Sequence, residues 1–245
     1  GYLDGRRFRY DAENYLILSV PLPFECETHA SPESPMLGIF VDIDVVRLMD
    51  MVAAAADELP TSSFDVTAVR CGVEPAPLDE AMMEVTMRLL RCLNSPLDAR
   101  VLGSSIVNEL LYRAMLGPHG SALYALTQHH TPYARIARVL QLVHRRYAEL
   151  TNIDELAQEA SMSTSTFHRA FKQVTGDSPL QYIKKIRLNK AKSLLVHEGV
   201  TVSDAAYQVG YESASQFSRE FKRYFQSPPS AARTIGYSAY TSPAF

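Results

Sequence analysis

The chain has no tryptophan, only three cysteines, and no lysine anywhere between Gly1 and Pro132. Its longest unbroken apolar run, Met51 to Ala56, is far shorter than the ~20 residues that cross a bilayer, so no membrane span is expected. Arg6 and Arg7 are followed by no apolar stretch before Asp11 and Glu13, so this stretch does not read as a secretory leader and a cytoplasmic chain is the expectation. Cys26, Cys71 and Cys92 are odd in number, widely spaced and without a C-x-x-C pair, a usage that suits small buried thiols rather than disulfides or zinc. Nucleophile elbow, phosphate loop, H-E-x-x-H and dinucleotide fingerprint are all missing, and His29 is the only histidine before His119, so no H-x-H metal cluster exists in that stretch. The adjacent His129 and His130 lack a third ligand nearby and read as polar loop residues. Pairs such as Asp42/Asp44 and Asp79/Glu80 sit where a strand end or a helix N-terminus welcomes anions. The expectation is therefore no enzyme: no catalytic residue, no metal ligand and no cofactor.

What is present is an ordinary globular composition with an uneven charge. The 245 residues are 47% apolar and 21% charged, enough for one or two domains with a packed core. From Gly1 to Pro132 there are 9 Arg against 18 Asp and Glu; from Tyr133 to Phe245 there are 15 Lys and Arg against 9 Asp and Glu. An acidic first half and a basic second half point to an acidic partner for the second. Pro118, His119 and Gly120 break one helical pattern, and Thr131 with Pro132 begins another as N-cap and first helical residue. The division expected is 1–130 as a regulatory, effector or dimerisation domain and 133–236 as a second domain.

That second domain contains a repeat. At a constant offset of fifty, Asp154, Gln158, Ser163, Ser165, Phe167, Arg169, Phe171, Lys172 and Pro179 recur as Asp204, Gln208, Ser213, Ser215, Phe217, Arg219, Phe221, Lys222 and Pro229. One supersecondary unit is used twice, over 152–176 and 201–226. In the first, Asn152 caps a short helix to Ala160, Ser161-Met162-Ser163 breaks it, and a second helix runs from Thr164 to Thr175 before Gly176. In the second, Thr201 starts a helix to Val209, Gly210-Tyr211-Glu212 turns the chain, and Ser213 with Gln216 forms a capping box for a helix to Phe225. Two helices joined by so short a turn make a helix-turn-helix.

The second helix of each unit is amphipathic in the same way. Phe167, Ala170, Phe171 and Val174, like Phe217, Phe221, Tyr224 and Phe225, form the core face. Opposite lie Ser165, His168, Arg169 and Lys172, and in the other helix Ser215, Ser218, Arg219 and Lys222. Short hydroxyl side chains followed by cations are donors that base edges in the major groove accept. A solvated face explains one such helix; it does not explain the same pattern twice.

Between the units, Ser178-Pro179 opens a joining helix to His197 with Leu180, Ile183, Leu188, Ala191, Leu194 and Leu195 as its buried stripe. Eighteen residues span roughly 27 Å, comparable with the ~34 Å between successive major grooves on one side of a duplex. Lys184, Lys185, Arg187, Lys190 and Lys192 on this helix either touch phosphates or stand as solvated charges. Ser227-Pro228-Pro229 then opens a short closing helix to Ile235.

The stretch from Arg135 to Arg233 resembles the AraC/XylS-type DNA-binding domain. The resemblance is carried by Val209-Gly210-Tyr211-Glu212-Ser213, by Gln216-Phe217-Ser218-Arg219-Glu220-Phe221-Lys222 and by Ser227-Pro228-Pro229. It implies DNA contacts from Ser165, Thr166, His168, Arg169 and Lys172 in the first unit and from Ala214, Ser215, Gln216, Ser218, Arg219 and Lys222 in the second. Ser165 stands where some relatives carry a large aromatic, and Ala214 offers only an apolar contact. The earlier segment resembles the N-terminal domain of one AraC subgroup through 30–35 (ASPESP), 108–113 (NELLYR) and Leu116-Gly117-Pro118-His119-Gly120. This implies a cupin-like β domain followed by helices, although its first strands are not found in the chain.

Strands are read at Tyr15 to Val20, Phe24 to Thr28 and Met36 to Ile43, and helices at Val45–Glu58, Leu78–Leu93 and Pro96–Leu116. The fold class is α+β: a partial cupin-like β domain with following helices, then an all-α domain of two helix-turn-helix units joined by a long helix. The function expected is a sequence-specific transcription regulator. Its partners are double-stranded DNA, a small-molecule effector, RNA polymerase in the case of an activator, and a second copy across the helices Leu78–Leu93 and Pro96–Leu116. Phe8, Tyr10, Phe24 and Phe40 either line an effector pocket or, as is commoner for aromatics on strands, belong to the core. The competing reading is a protein-interaction module in which the repeat only packs.

Overall fold

The computed structural model describes residues 1–3, 6–7, 9, 11–23, 26–27, 30–31, 33–59, 64–66, 69, 73–150, 152–232 and 239–240. The described strands pair only two by two, all antiparallel: β1 (Tyr2–Leu3) with β2 (Arg6–Arg7), β3 (Asn14–Leu18) with β5 (Val73–Pro77), and β4 (Cys26–Glu27) with β6 (Ala239–Tyr240). Among the described residues ten α-helices follow in chain order among these strands, giving an α+β architecture. Contacts divide the chain into two compact units, one of residues 8–20 and 37–137, the other of 1–7, 21–36 and 138–245.

In the unit of 8–20 and 37–137, β3 and β5 pair in the register Asn14↔Pro77 to Leu18↔Val73. Asp44 caps α1 (Val45–Ala54) and Asp79 caps α2 (Glu80–Leu93), each carboxylate accepting from first-turn amides. Ser95 caps α3 (Pro96–Leu116), and α4 (Gly120–Thr127) follows. Met82, Val85, Leu89 and Cys92 recur at helical spacing along α2 and are buried, as α2 packs on α3. Glu109 of α3 ties the pair by accepting from Arg88 of α2 at 2.7 Å, and it also accepts from Arg113 one turn on in α3 at 2.8 Å.

Two expectations fail here. Residues 35–44 form no strand, and Leu37 and Phe40 stand 88% and 72% exposed. An apolar run becomes a strand only where a partner supplies the other half of the ladder, and no described strand lies against it. Phe40 is thus exposed rather than part of a strand core, while Phe8, Tyr10 and Phe24 lie outside the described residues. The first helix is also shorter than expected, ending at Ala54 with residues 55–58 in turns.

The other unit is built on helices. α5 (Pro132–Arg146), whose first-turn amide of Ala134 donates to the Thr131 hydroxyl, runs across the boundary between the units. Then come α6 (Ile153–Glu159), α7 (Thr164–Thr175), α8 (Pro179–Ser193) with a π turn at Leu194–Glu198, α9 (Val202–Gln208) and α10 (Ala214–Phe225). A 3₁₀ turn at Pro229–Ala231 stands where a longer closing helix was expected, and Ile235 lies outside the described residues. On α8 the buried set includes Tyr182 and Ile186, whereas Leu180, expected inside, is 52% exposed.

Candidate nucleic-acid interface

Both helix-turn-helix units are set up by local polar caps. The Asn152 side chain accepts from the Asp154 amide at 2.9 Å, and Ser163 Oγ accepts from the Thr166 amide at 3.4 Å. In the second unit Thr201 Oγ1 accepts from the Asp204 amide at 3.1 Å, and Ser213 Oγ accepts from the Gln216 amide at 3.3 Å. Each cap satisfies an amide that the first helical turn leaves unpaired. Gly176 ends α7 in the left-handed region at φ +80°, its amide donating to the Lys172 carbonyl.

Burial then fixes which side of each second helix looks outward. Phe167 and Phe171 are fully buried with ring centroids 5.4 Å apart and planes inclined at 59°. Phe217 and Phe221 are buried with the same 5.4 Å and 59°. The repeat in sequence is thus a repeat in packing. With those rings inward, Ser165, His168, Arg169 and Lys172 are exposed and Thr166 is half-buried; Ser215, Gln216, Arg219 and Lys222 are exposed and Ala214 and Ser218 are half-buried. The Thr166 hydroxyl accepts from Ser163 Oγ at 3.0 Å, which draws it into the cap. Gln216 departs from the expected capping box: its amide donates forward to Glu220 Oε1 at 3.2 Å rather than back to Ser213.

The cations of the outward faces of α7 and α10 differ from most of those on α8. Arg169, Lys172, Arg219 and Lys222 have no ion-pair partner among the described residues. On α8, Lys184, Lys185, Arg187 and Lys192 are engaged within the fold, so these four do not stand as free solvated charges. Lys184 pairs with Glu220 at 3.2 Å and Lys185 with Asp177 at 2.6 Å, while the Lys192 ammonium sits 4.6 Å from the Phe225 ring centre. Arg187 donates to four backbone carbonyls, those of Tyr147, Ala148, Leu150 and Gly210, at 2.8 to 3.3 Å. Burial pulls the pKa of Arg187 and that of Lys190 below their ordinary values.

Sequence reasoning also passed over a polar chain in the core of this unit. The Tyr182 hydroxyl donates to the Pro21 carbonyl, which leaves its lone pairs for the Nε2–H of His144 at 2.8 Å. Burial, with Lys190 as a second cause, lowers the His144 pKa to about 4. The folded state thus holds His144 neutral, whereas the unfolded chain protonates it near 6.5. Its contribution is present in full above pH 6.5 and is lost as the pH falls from there toward 4, by up to about 3 kcal/mol. Urea midpoints measured from pH 7.5 down to 4.5 should show this loss, and His144→Gln should flatten the part of the slope between pH 6.5 and 4.5.

Among the described residues no cluster of three His, Cys, Asp or Glu side chains could hold a metal, and no described helix is long and apolar enough to cross a membrane. Cys92 is buried with a free thiol, and the side chains of Cys26 and Cys71 lie outside the described set.

Residues 1–122 match the family described as AraC-type transcriptional regulator N-terminus, and residues 156–235 match the family described as Helix-turn-helix domain. The HTH-type transcriptional activator RhaS of Escherichia coli is 36% identical over 96 residues, which is 39% of this chain and 34% of that protein. The chain thus spans about a third of the length of the curated relatives it matches. Among solved structures, the DNA-binding domain of AdpA, a global transcriptional factor crystallised in complex with a target DNA, is 31% identical with a TM-score of 0.40. It covers 41% of this chain and 90% of its own. A transcriptional regulator from Chromobacterium violaceum with an AraC-type DNA-binding domain is 25% identical with a TM-score of 0.40, over 41% of this chain and 90% of its own. With one family matched across its first half and the other across its second, the chain belongs to the AraC-type transcriptional regulators.

Proposed function

We propose that the chain regulates transcription by binding double-stranded DNA in a sequence-specific way, α7 and α10 entering successive major grooves. The observation that carries this reading is the repeated outward face: two helices with the same Phe–Phe ring geometry present Ser165, Arg169 and Lys172 and again Ser215, Arg219 and Lys222, with the four cations unpaired among the described residues. Unpaired guanidinium groups following short hydroxyls on a helix are donors for guanine O6 and N7. The contact set proposed is Ser165, Thr166, His168, Arg169 and Lys172 with Ala214, Ser215, Gln216, Ser218, Arg219 and Lys222. The division into a regulatory part (1–130) and a DNA-binding part (133–236), and a cytoplasmic location, belong to the same proposal. A second copy as partner is supported by an exposed apolar set on α2 and α3 comprising Met83, Met87, Leu90, Leu97 and Val101. An effector and RNA polymerase as partners, and a cupin-like first domain, come from the resemblance alone.

Selection of bound duplexes from a random pool tests the reading. Two half-motifs about one helical turn apart are expected. Arg169→Ala and Arg219→Ala should each cost about 1–3 kcal/mol at one base pair and relax specificity there, in different half-motifs. Lys222→Ala should weaken all sequences alike and reduce the slope of log affinity against log salt by about 0.9 if it meets one phosphate. No association with any duplex at low salt would leave the interaction-module reading in its place.

A further inference from the structure

The second helix-turn-helix unit contains a polar cluster that the first lacks. At the offset of fifty, Gln216 corresponds to Thr166 and Glu220 to Ala170. The Glu220 side chain is only 14% exposed. Its Oε1 accepts from Gln216 Nε2 and from Lys184 Nζ, each at 3.2 Å, and its Oε2 accepts from the Tyr211 hydroxyl at 3.0 Å. Lys184 comes from the joining helix and Tyr211 from the turn, so the carboxylate is held from two sides besides its own helix. Burial works to raise the Glu220 pKa, but the donors outweigh it and the net shift is downward. An ionised carboxylate can only accept.

That settles a choice the Gln216 amide would otherwise make freely. Its carbonyl oxygen is repelled by an acceptor, so only the NH₂ end can face Glu220. Among the described residues the Gln216 carbonyl oxygen and its second amide hydrogen have no partner, and the side chain is exposed. What remains is one donor beside one acceptor, the pair that binds N7 and the N6 amino group of adenine in the major groove. We propose that Glu220 is a positioning residue for base reading: it orients the Gln216 amide so that α10 selects adenine at one base pair. The assignment rests on the DNA-binding reading above.

The experiment uses the full chain and the duplex obtained by selection, with all four bases placed in turn at each position. The unsubstituted chain is expected to favour adenine at one pair of one half-motif by about five- to 150-fold, the range of one bidentate contact. Gln216→Ala should abolish that preference at that pair alone. Glu220→Gln keeps the size of the side chain but can donate as well as accept, so the amide takes both orientations and the discrimination of adenine from guanine should fall several-fold at the same pair. Lys184→Met leaves the Gln216–Glu220 bond in place and should leave the preference standing, with thermal unfolding followed in every variant. If Glu220→Gln weakens every duplex equally, or leaves the adenine preference unmoved, the assignment is overturned while DNA reading stands. An unsubstituted chain with no sequence preference overturns both, and a preference that Gln216→Ala does not touch overturns the assignment.

Discussion

Arg187→Ala is expected to destabilise the unit that holds residues 138–245 by about 3 kcal/mol. The guanidinium makes four charge-assisted bonds to backbone carbonyls, and bonds of this kind each contribute about 1.5–3 kcal/mol net to stability. Arg187 is half-buried, so water replaces part of what is lost and the full sum is not reached. Three of the carbonyls belong to Tyr147, Ala148 and Leu150, between α5 and α6, and the fourth to Gly210, in the turn before α10. One side chain therefore ties the entrance of the first helix-turn-helix to the turn of the second. Arg187→Lys should recover little, because one ammonium on a flexible stem cannot serve carbonyls arrayed along both edges of a planar fork. Urea unfolding measures the loss. Amide exchange would place it at the second turn, and retention of all four carbonyl bonds' worth of stability in Arg187→Ala would show the guanidinium to be a bystander.

Arg187 also marks where sequence reading stops. Features encoded within a few residues were legible: Asn152, Ser163, Ser178, Thr201 and Ser213 are N-caps, and Phe167, Phe171, Phe217 and Phe221 are core. A cap needs one hydroxyl or amide beside the right backbone N–H, and a helical core needs only the period of 3.6. Features that depend on what lies opposite were not. Lys184, Lys185, Arg187 and Lys192 look in sequence like the cations of α7 and α10, yet they meet Glu220, Asp177, carbonyls and a ring brought to them by the fold. Met36 to Ile43 has strand composition without a described strand beside it. Gln216 had two short-range partners, Ser213 behind and Glu220 ahead, and the cluster around Glu220 decides between them. His144 and Tyr182 carried no local signal at all, since their bond joins α5 to α8.

Gly210→Ala approaches the same joint from the opposite side and is expected to cost about 2–5 kcal/mol. The residue sits at φ +85°, where an L side chain costs roughly 1–2 kcal/mol. A Cβ there would also run into the carbonyl group of Ala148, a rigid obstacle rather than the end of a flexible side chain. Gly199→Ala separates the two terms. Its φ of +64° imposes similar backbone strain, but nothing lies within 4 Å of the added carbon, so only the smaller cost of about 1–2 kcal/mol is expected. The Ala148 carbonyl that the new methyl displaces is one that Arg187 holds, at 3.3 Å. Once Arg187 is gone, the segment of Tyr147 to Leu150 can recede, so Gly210→Ala should cost less in the Arg187→Ala background than in the unsubstituted chain. A double-mutant cycle by urea unfolding should therefore show sub-additivity of about 1 kcal/mol. Strict additivity would mean that the methyl and the guanidinium act on different parts of the structure, and the turn before α10 would then owe its position to Tyr211 and Glu220 instead.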